Sequence, residues 1–272
     1  MPALTGEGTS PSPTWINSMT NQRFYLDPKH KISPDGRVTI SGSEATHIAA
    51  SLRKKTGDQI SFFDGQGRNL SGRIESIQPG RILVIIEEIS TPVQNFRLII
   101  SLGQAIPKGS KMDKIVREAT ELGVVSIFPF ISTRTIPRLP ENRSREKTER
   151  WKRIALSASK QSGRGEIPEI HGTRKFAEII ELPGYDLRLL LSEYPGETSL
   201  YEYLHSRELP SGSPLLVLIG PEGGFSHEEI ELAREKGFAP VSLGSQVLRT
   251  ETVAPVILGI LRYELGNSSD KL

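Results

Sequence analysis

Leu215-Leu216-Val217-Leu218-Ile219-Gly220-Pro221-Glu222-Gly223-Gly224-Phe225-Ser226 is the stretch whose reading decides the fold. Five consecutive apolar residues running into a glycine turn describe a strand covered on both faces, and such strands belong to parallel sheets between helix layers. Ser226 followed by Glu229 has capping-box spacing and Gly237 supplies a stop, so the pattern predicts a helix over residues 227–236. The glycine loop then lies between a buried strand and a helix amino terminus, the edge of an open α/β sheet where ligands bind. A side chain at Gly223 is expected to obstruct a ligand's approach to that backbone.

The same rhythm extends outward on both sides. Apolar runs at Arg97–Leu102, Val124–Ile131 and Leu187–Leu191 read as further strands. Between the first two, Met112, Ile115, Val116, Ala119 and Leu122 fall at helical spacing over Lys111–Leu122, and Gly123 ends the helix. Downstream, Ser242-Leu243-Gly244 forms a second glycine turn, and Leu248-Arg249-Thr250-Glu251-Thr252 leads into a final helix of roughly Val253 to Leu265. That helix is apolar nearly all round and is expected to be buried. With Thr252 as its cap, Pro255 falls in the first turn, where a missing N–H has no partner to lose. Two glycine turns converging after successive strands predict a cradle for a mostly uncharged ligand held by main-chain groups. The chain lacks both the Gly-Lys-Ser/Thr ending of a phosphate loop and a GxGxxG run, which argues against a nucleotide triphosphate site and a Rossmann dehydrogenase.

The opening 20 residues, rich in Pro, Ser, Thr and Gly, read as a disordered tail. From Arg23 to about Ile89 short apolar runs alternate with turn signals around one short helix near Ser43–Leu52, predicting a small β-barrel with a boundary near residue 92. Within it Asp64-Gly65 is a hairpin turn, and His47 is read as a hydrogen-bonded structural residue. Lysine and arginine number 34 against 32 acidic residues, so the net charge of +2 selects no partner class. The absence of cysteine removes disulfides, thiolate chemistry and Cys-rich zinc sites. Five histidines, none in HExxH spacing, predict no metal. No apolar run approaches the roughly 18 residues of a membrane span, and a cytoplasmic soluble protein is the expectation.

Charge is nevertheless uneven. Arg134 to Arg164 carries ten cations against three glutamates, and such density is self-repelling without a polyanion nearby, so RNA backbone is a reasonable partner. Trp151, Ile154, Ala155 and Ala158 mark the inward face of a helix there, with Trp151 packing in the core. In the N-terminal region Arg53 and Lys54 carry the better case for RNA contact. A binding protein without catalysis would explain this segment and the barrel, yet gives no reason for two converging glycine loops.

Six blocks in order carry a resemblance: Arg23-Phe24-Tyr25, the His47–Gly67 segment, Glu121-Leu122-Gly123-Val124, Gln161-Ser162-Gly163-Arg164, Leu218 to Ser226, and Ser242-Leu243-Gly244 with Leu248 to Thr252. Together they resemble the RsmE-type 16S ribosomal RNA (uridine-N3) methyltransferases of the SPOUT class, over residues 23 to about 265. The chain departs from that pattern at Val253-Ala254-Pro255, where an alanine-rich helix is usual. The resemblance implies a PUA-like RNA-binding barrel over residues 21–92 and an α/β SPOUT methyltransferase domain over 93–272, whose carboxyl end forms a trefoil knot. It implies S-adenosylmethionine held by Leu191, Ser192, Glu193, Ile219, Gly220, Pro221, Glu222, Gly223, Gly224, Ser242, Leu243, Gly244, Leu248 and Thr250. It also implies a homodimer acting on 16S ribosomal RNA or the small ribosomal subunit, with Arg23, Arg53, Lys54 and Arg164 toward RNA. Methyl transfer from a sulfonium needs no metal, because the leaving group is neutral once expelled. A uridine imide must lose its N3 proton, and Arg249 is the first choice to stabilise that anion, with a salt bridge to Glu251 or Glu222 as the alternative.

Overall fold

A computed structural model describes residues 23–51, 54–91, 98–135, 140–206 and 212–266. The predicted N-terminal tail, Arg53 and residues 92–97 lie outside these. The chain divides into two compact units between Thr91 and Pro92.

The first unit is built on a meander. Its elements are β1 (Arg23–Tyr25), β2 (Arg37–Ser41), α1 (Ser43–Ser51), β3 (Gln59–Phe63), β4 (Asn69–Gln78) and β5 (Arg81–Ser90). Strands β3, β4 and β5 pair antiparallel, β2 joins β5, and β1 adds to β3 in parallel, giving the order β1-β3-β4-β5-β2. Alternation along these strands sends Phe24, Val38, Ile40, Ile60, Phe62, Ile74, Ile82 and Val84 into one core with Ile48 of α1. His47 stands edge-on to Phe24 with ring centroids 6.0 Å apart.

The second unit follows the strand–helix rhythm of the sequence. In order come β6 (Ile100–Ala105), α2 (Lys111–Glu121), β7 (Ser126–Ile131), α3 (Glu141–Ser162), β8 (Glu169–Ile170), β9 (Arg174–Lys175) and α4 (Phe176–Ile179). Then follow β10 (Leu187–Leu191), β11 (Thr198–Ser199), α5 (Leu200–His205), β12 (Leu215–Ile219), α6 (His227–Glu235), β13 (Ala239–Ser242) and α7 (Thr250–Leu265). All pairings are parallel, in the order β11-β13-β10-β12-β6-β7-β8, with β9 also on β7. The uniformly apolar strands are indeed covered on both faces. Leu189, Leu215 and Val217 belong to one core with Met112, Ile115, Trp151, Ile257 and Leu258, whereas Leu190, Leu216 and Leu218 belong to another with Phe225, Ile230 and Phe238. Full burial of each large side chain contributes roughly 1.5–3 kcal/mol before ordering costs.

Three local expectations need correction. The first strand of this unit runs to Ala105 because Gly103 belongs inside it: a Cβ there would stand 2.3 Å from Leu218 Cδ2, so glycine lets the neighbouring strand's side chain pass over. The last helix starts at Thr250, capped by Arg249 rather than Thr252, so Pro255 lies beyond the first turn. Its start is set by tertiary contacts, since Thr250 Oγ1 donates to Gly220 O at 2.9 Å. Burial of that helix is also one-sided: Val253, Ala254, Ile257, Leu258 and Leu261 are inside, while Ile260 and Tyr263 are exposed.

Candidate active site

Strands β13, β10 and β12 lie side by side and parallel, so the loops leaving their carboxyl ends share one edge of the sheet. Between them lies a cleft of ≈ 540 Å³. Of the sequence-predicted residues, Leu191, Ser192, Glu193, Ile219, Gly220, Pro221, Glu222, Gly223, Gly224, Leu243, Gly244, Leu248 and Thr250 all line it, together with Arg249. Ser242 is off the wall, in register with Ser199 as the last residue of β13. The wall also includes Lys111, Arg134, Tyr194, Gln246, Glu251 and Val253. Lys111 and Arg134 come from the α2 start and the turn after β7, distant segments that no local pattern links to the glycine loops.

The first glycine loop is held from several sides. Gly224 N donates to Pro221 O at 2.9 Å to close a turn, with Gly224 in the left-handed region at φ 65°. Within the loop itself the crowded position is Gly220. A Cβ on Gly220 would lie 3.1–3.3 Å from main-chain atoms of Gly224 and Phe225, whereas one on Gly223 would make ordinary contact with Arg134 at 3.5 Å. Fully buried Gln104 of β6 donates to Ala105 O at 2.9 Å and to Thr250 Oγ1 at 3.2 Å, tying sheet and last helix together beneath the loop. The capping box at α6 does more than start a helix. Glu229 accepts from Ser226 N at 3.0 Å and, through its other oxygen, from Thr133 N at 2.8 Å. This pins the turn that carries Arg134, whose guanidinium donates to Gly223 O at 2.8 Å and to Tyr194 Oη at 3.2 Å.

Charge in the cleft is arranged around Lys111. Its ammonium sits 3.0 Å from Glu222 Oε1 and 3.3 Å from Glu251 Oε2, and Glu222 also accepts from Lys108 N at 3.1 Å. The carboxylate of Glu222, with Glu251 beside it, raises the Lys111 pKa. Burial opposes ionisation of Glu222, but hydrogen bonds from its own and the Lys108 amide and from Lys111 outweigh it and lower its pKa. Glu251 is likewise lowered, first by its own amide. The two carboxylates named as alternative partners for Arg249 both pair with Lys111, and the charge of Arg249 adds to the lowering of Glu251. Arg249 is exposed, and its side chain forms no hydrogen bond or ion pair among the described residues.

The predicted RNA contacts are partly engaged. Arg23, half-buried, bonds Asn69 Oδ1 and lies 5.3 Å from the Phe63 ring centroid, and burial lowers its pKa. Lys54 donates to Gln59 O at 2.9 Å. Arg164 donates to Thr120 O at 2.6 Å and Val124 O at 3.0 Å, closing the carbonyl end of α2. On α3, Trp151 is buried with its indole N–H on Asp113 at 3.2 Å, and Arg150 pairs with the same aspartate at 2.6 Å. Arg143 and Lys147 form no ion pair among the described residues. Among those residues no group of three or more His, Cys, Asp or Glu is placed to hold a metal, and no helix is long and apolar enough to cross a membrane.

A family model described as an RNA methyltransferase domain matches residues 94–262, and one described as an RNA methyltransferase PUA domain matches residues 40–87. The α/β unit with its loop-walled cleft is therefore that of an RNA methyltransferase. The ribosomal RNA small subunit methyltransferase E of Synechocystis is 32% identical over 249 residues, 89% of this chain and 80% of that protein. The crystal structure of the Neisseria gonorrhoeae ribosomal RNA small subunit methyltransferase E bound to S-adenosyl methionine superposes with a TM-score of 0.77 at 30% identity, covering 89% of this chain and 97% of that one. A Legionella pneumophila methyltransferase in complex with bound SAM gives a TM-score of 0.77 at 31% identity, covering 89% and 97%. The chain belongs to the ribosomal RNA small subunit methyltransferase E family.

Proposed function

We propose that this chain methylates N3 of a uridine in 16S ribosomal RNA, with S-adenosylmethionine as methyl donor. The observation that carries this reading is the cleft, in which two glycine loops and the start of α7 converge on a volume of ≈ 540 Å³, within the usual range for a small-molecule site. The residues fit that cofactor. Leu191, Ile219, Leu243, Leu248 and Val253 offer apolar walls for an adenosine, while main-chain groups of the two glycine loops offer hydrogen bonds. When bound, the cofactor supplies an electrophilic methyl carbon on a sulfonium whose departure leaves a neutral thioether.

The remaining chemistry falls to the chain. The N3 imide must lose its proton, and a cation beside its two carbonyl oxygens stabilises the resulting anion. Arg249, exposed in the cleft lining and in no ion pair among the described residues, is suited to that task, and Arg134 braces the first glycine loop. Alignment of nucleophile, methyl carbon and sulfur supplies most of the remaining rate. Residues 21–92 serve as the PUA-like RNA-binding unit and 93–272 as the catalytic one. Arg143 and Lys147 of α3 add free positive charge for RNA phosphates, alongside Arg23, Arg53, Lys54 and Arg164. A homodimer is supported by exposed Tyr201, Ile260 and Tyr263 near a contact of α5 with α7, where His205 Nε2 and Glu264 Oε2 are 3.6 Å apart. A trefoil knot is supported by the path of the chain, which leaves β13 beyond β10 yet returns to pack α7 on β12 and α2.

The test is incubation with methyl-labelled S-adenosylmethionine and unmodified 16S RNA or small subunits, followed by nucleoside analysis. Label in N3-methyluridine is expected. Label in another nucleoside overturns the position, and absence of S-adenosylmethionine binding in calorimetry overturns the cofactor.

A further inference from the structure

Arg249 precedes Glu251 by two residues and shares the cleft wall with Glu222, yet it forms a hydrogen bond or ion pair with neither, and only its charge reaches Glu251, whose pKa it helps to lower. Both carboxylates are ionised acceptors in a partly desolvated wall, and a guanidinium is the cation best shaped to take a carboxylate in bidentate fashion. Glu251 already feels the charge of Arg249, and Glu222 lines the same cleft. Arg134 offers no alternative, because Gly223 O and Tyr194 Oη already occupy it, and Glu193, the remaining carboxylate of the wall, is exposed on the loop after β10. Lys111 bridges both glutamates at 3.0 and 3.3 Å. Its placement is otherwise unfavourable: it is the first residue of α2, where the helix dipole disfavours a cation.

We propose that Lys111 is a positioning residue that sequesters Glu222 and Glu251, and so keeps the Arg249 guanidinium free for the uracil anion. This rests on the role given to Arg249 above. A point charge on a flexible stem suits the task, since one ammonium serves two carboxylates from different loops without demanding a planar fork. The clamp therefore acts on turnover through Arg249, apart from any bracing of the loop.

The experiment measures turnover at saturating S-adenosylmethionine, together with cofactor affinity by calorimetry and thermal stability. Lys111→Met is expected to lower turnover at saturating S-adenosylmethionine roughly fivefold, the scale of one captured ion pair, over and above any change in cofactor affinity from the loosened first loop. Lys111→Gln, which keeps a hydrogen-bonding side chain, is expected to show the same drop and serves if the Met variant folds poorly. Lys111→Arg is expected to recover most of the turnover. The decisive variant is Lys111→Met combined with Glu222→Gln and Glu251→Gln, in which neither of the two clamped carboxylates is left to capture Arg249. Its turnover should rise about threefold above that of Lys111→Met alone. Unchanged turnover in Lys111→Met, or a triple variant no faster than it, overturns the proposal. Full turnover in Arg249→Ala would instead overturn the role of Arg249 itself, so the two failures are separable.

Discussion

The two glycine loops of the cleft come from similar sequence signals and are held very differently. In the first, Gly220 O accepts from Thr250, Glu222 is bound by Lys108 N and Lys111, and Gly223 O accepts from Arg134. In the second, residues 244–248 make no side-chain hydrogen bond among the described residues, Gly244 stands at φ 118°, and Val247 is 76% exposed. One wall is thus preorganised by long-range contacts, while the other is a lightly tethered span that a ligand must order as it enters. Arg249 sits where the lightly held span meets the fixed start of α7.

The largest effect expected from this contrast concerns that junction. Arg249→Ala should lower turnover about 100-fold, as loss of a transition-state charge partner does, while cofactor affinity stays near that of the parent. Equal losses in methylation assays and calorimetry would assign Arg249 to binding and erase the distinction between a fixed wall that binds and a junction that reacts. A smaller effect separates positions within the first loop. Gly220→Ala forces a Cβ against main chain that is itself hydrogen-bonded, so a cost of ~1–3 kcal/mol in loop geometry and about tenfold weaker cofactor binding are expected. Gly223→Ala meets only the flexible stem of Arg134 and should change affinity less than about threefold. If the two variants bind cofactor equally well, the tight backbone at Gly220 has no bearing on the site.

What was legible in the chain divides along the same line. Leu187–Leu191 and Leu215–Ile219 are strands with the residues their apolar runs marked, and the Ser226/Glu229 pair caps α6. These signals are local: burial on both faces writes an unbroken apolar run, and a capping box is two residues three apart. The glycine loops were legible as a cradle for the same reason. Lys111 and Arg134 were not, because each reaches the cleft from more than 80 positions away through a contact to Glu222 or Gly223 that only the folded sheet creates. The start of α7 was misplaced by three residues for a related reason. Thr252 resembles a cap by sequence, but Thr250 is fixed by Gly220 and Gln104, and tertiary contacts outrank the local preference.

A third glycine turn, in the other unit, shows what tethering means energetically. Asp64, only 2% exposed, begins Asp64-Gly65-Gln66-Gly67 between β3 and β4 and organises it as Glu222 and Arg134 organise the first loop of the cleft. It accepts from Gln66 N at 2.8 Å and Arg68 N at 3.0 Å, and pairs with Arg68 Nε at 2.5 Å. Burial by itself raises the pKa of this carboxyl, but the Arg68 side chain and the two amides outweigh burial and leave it below its ordinary value. A folded pKa below the unfolded one means that the stabilisation is fully present above the unfolded value, near 3.9, and fades as pH falls through the lower folded value. Asp64→Asn removes the ionised acceptor, so the gap in thermal stability between parent and variant should be widest above about pH 5 and close progressively below about pH 4. Melting curves collected across that range would show a pH-independent gap if the turn were held by shape alone, and the first loop of the cleft would then lose its nearest parallel for charge-assisted tethering.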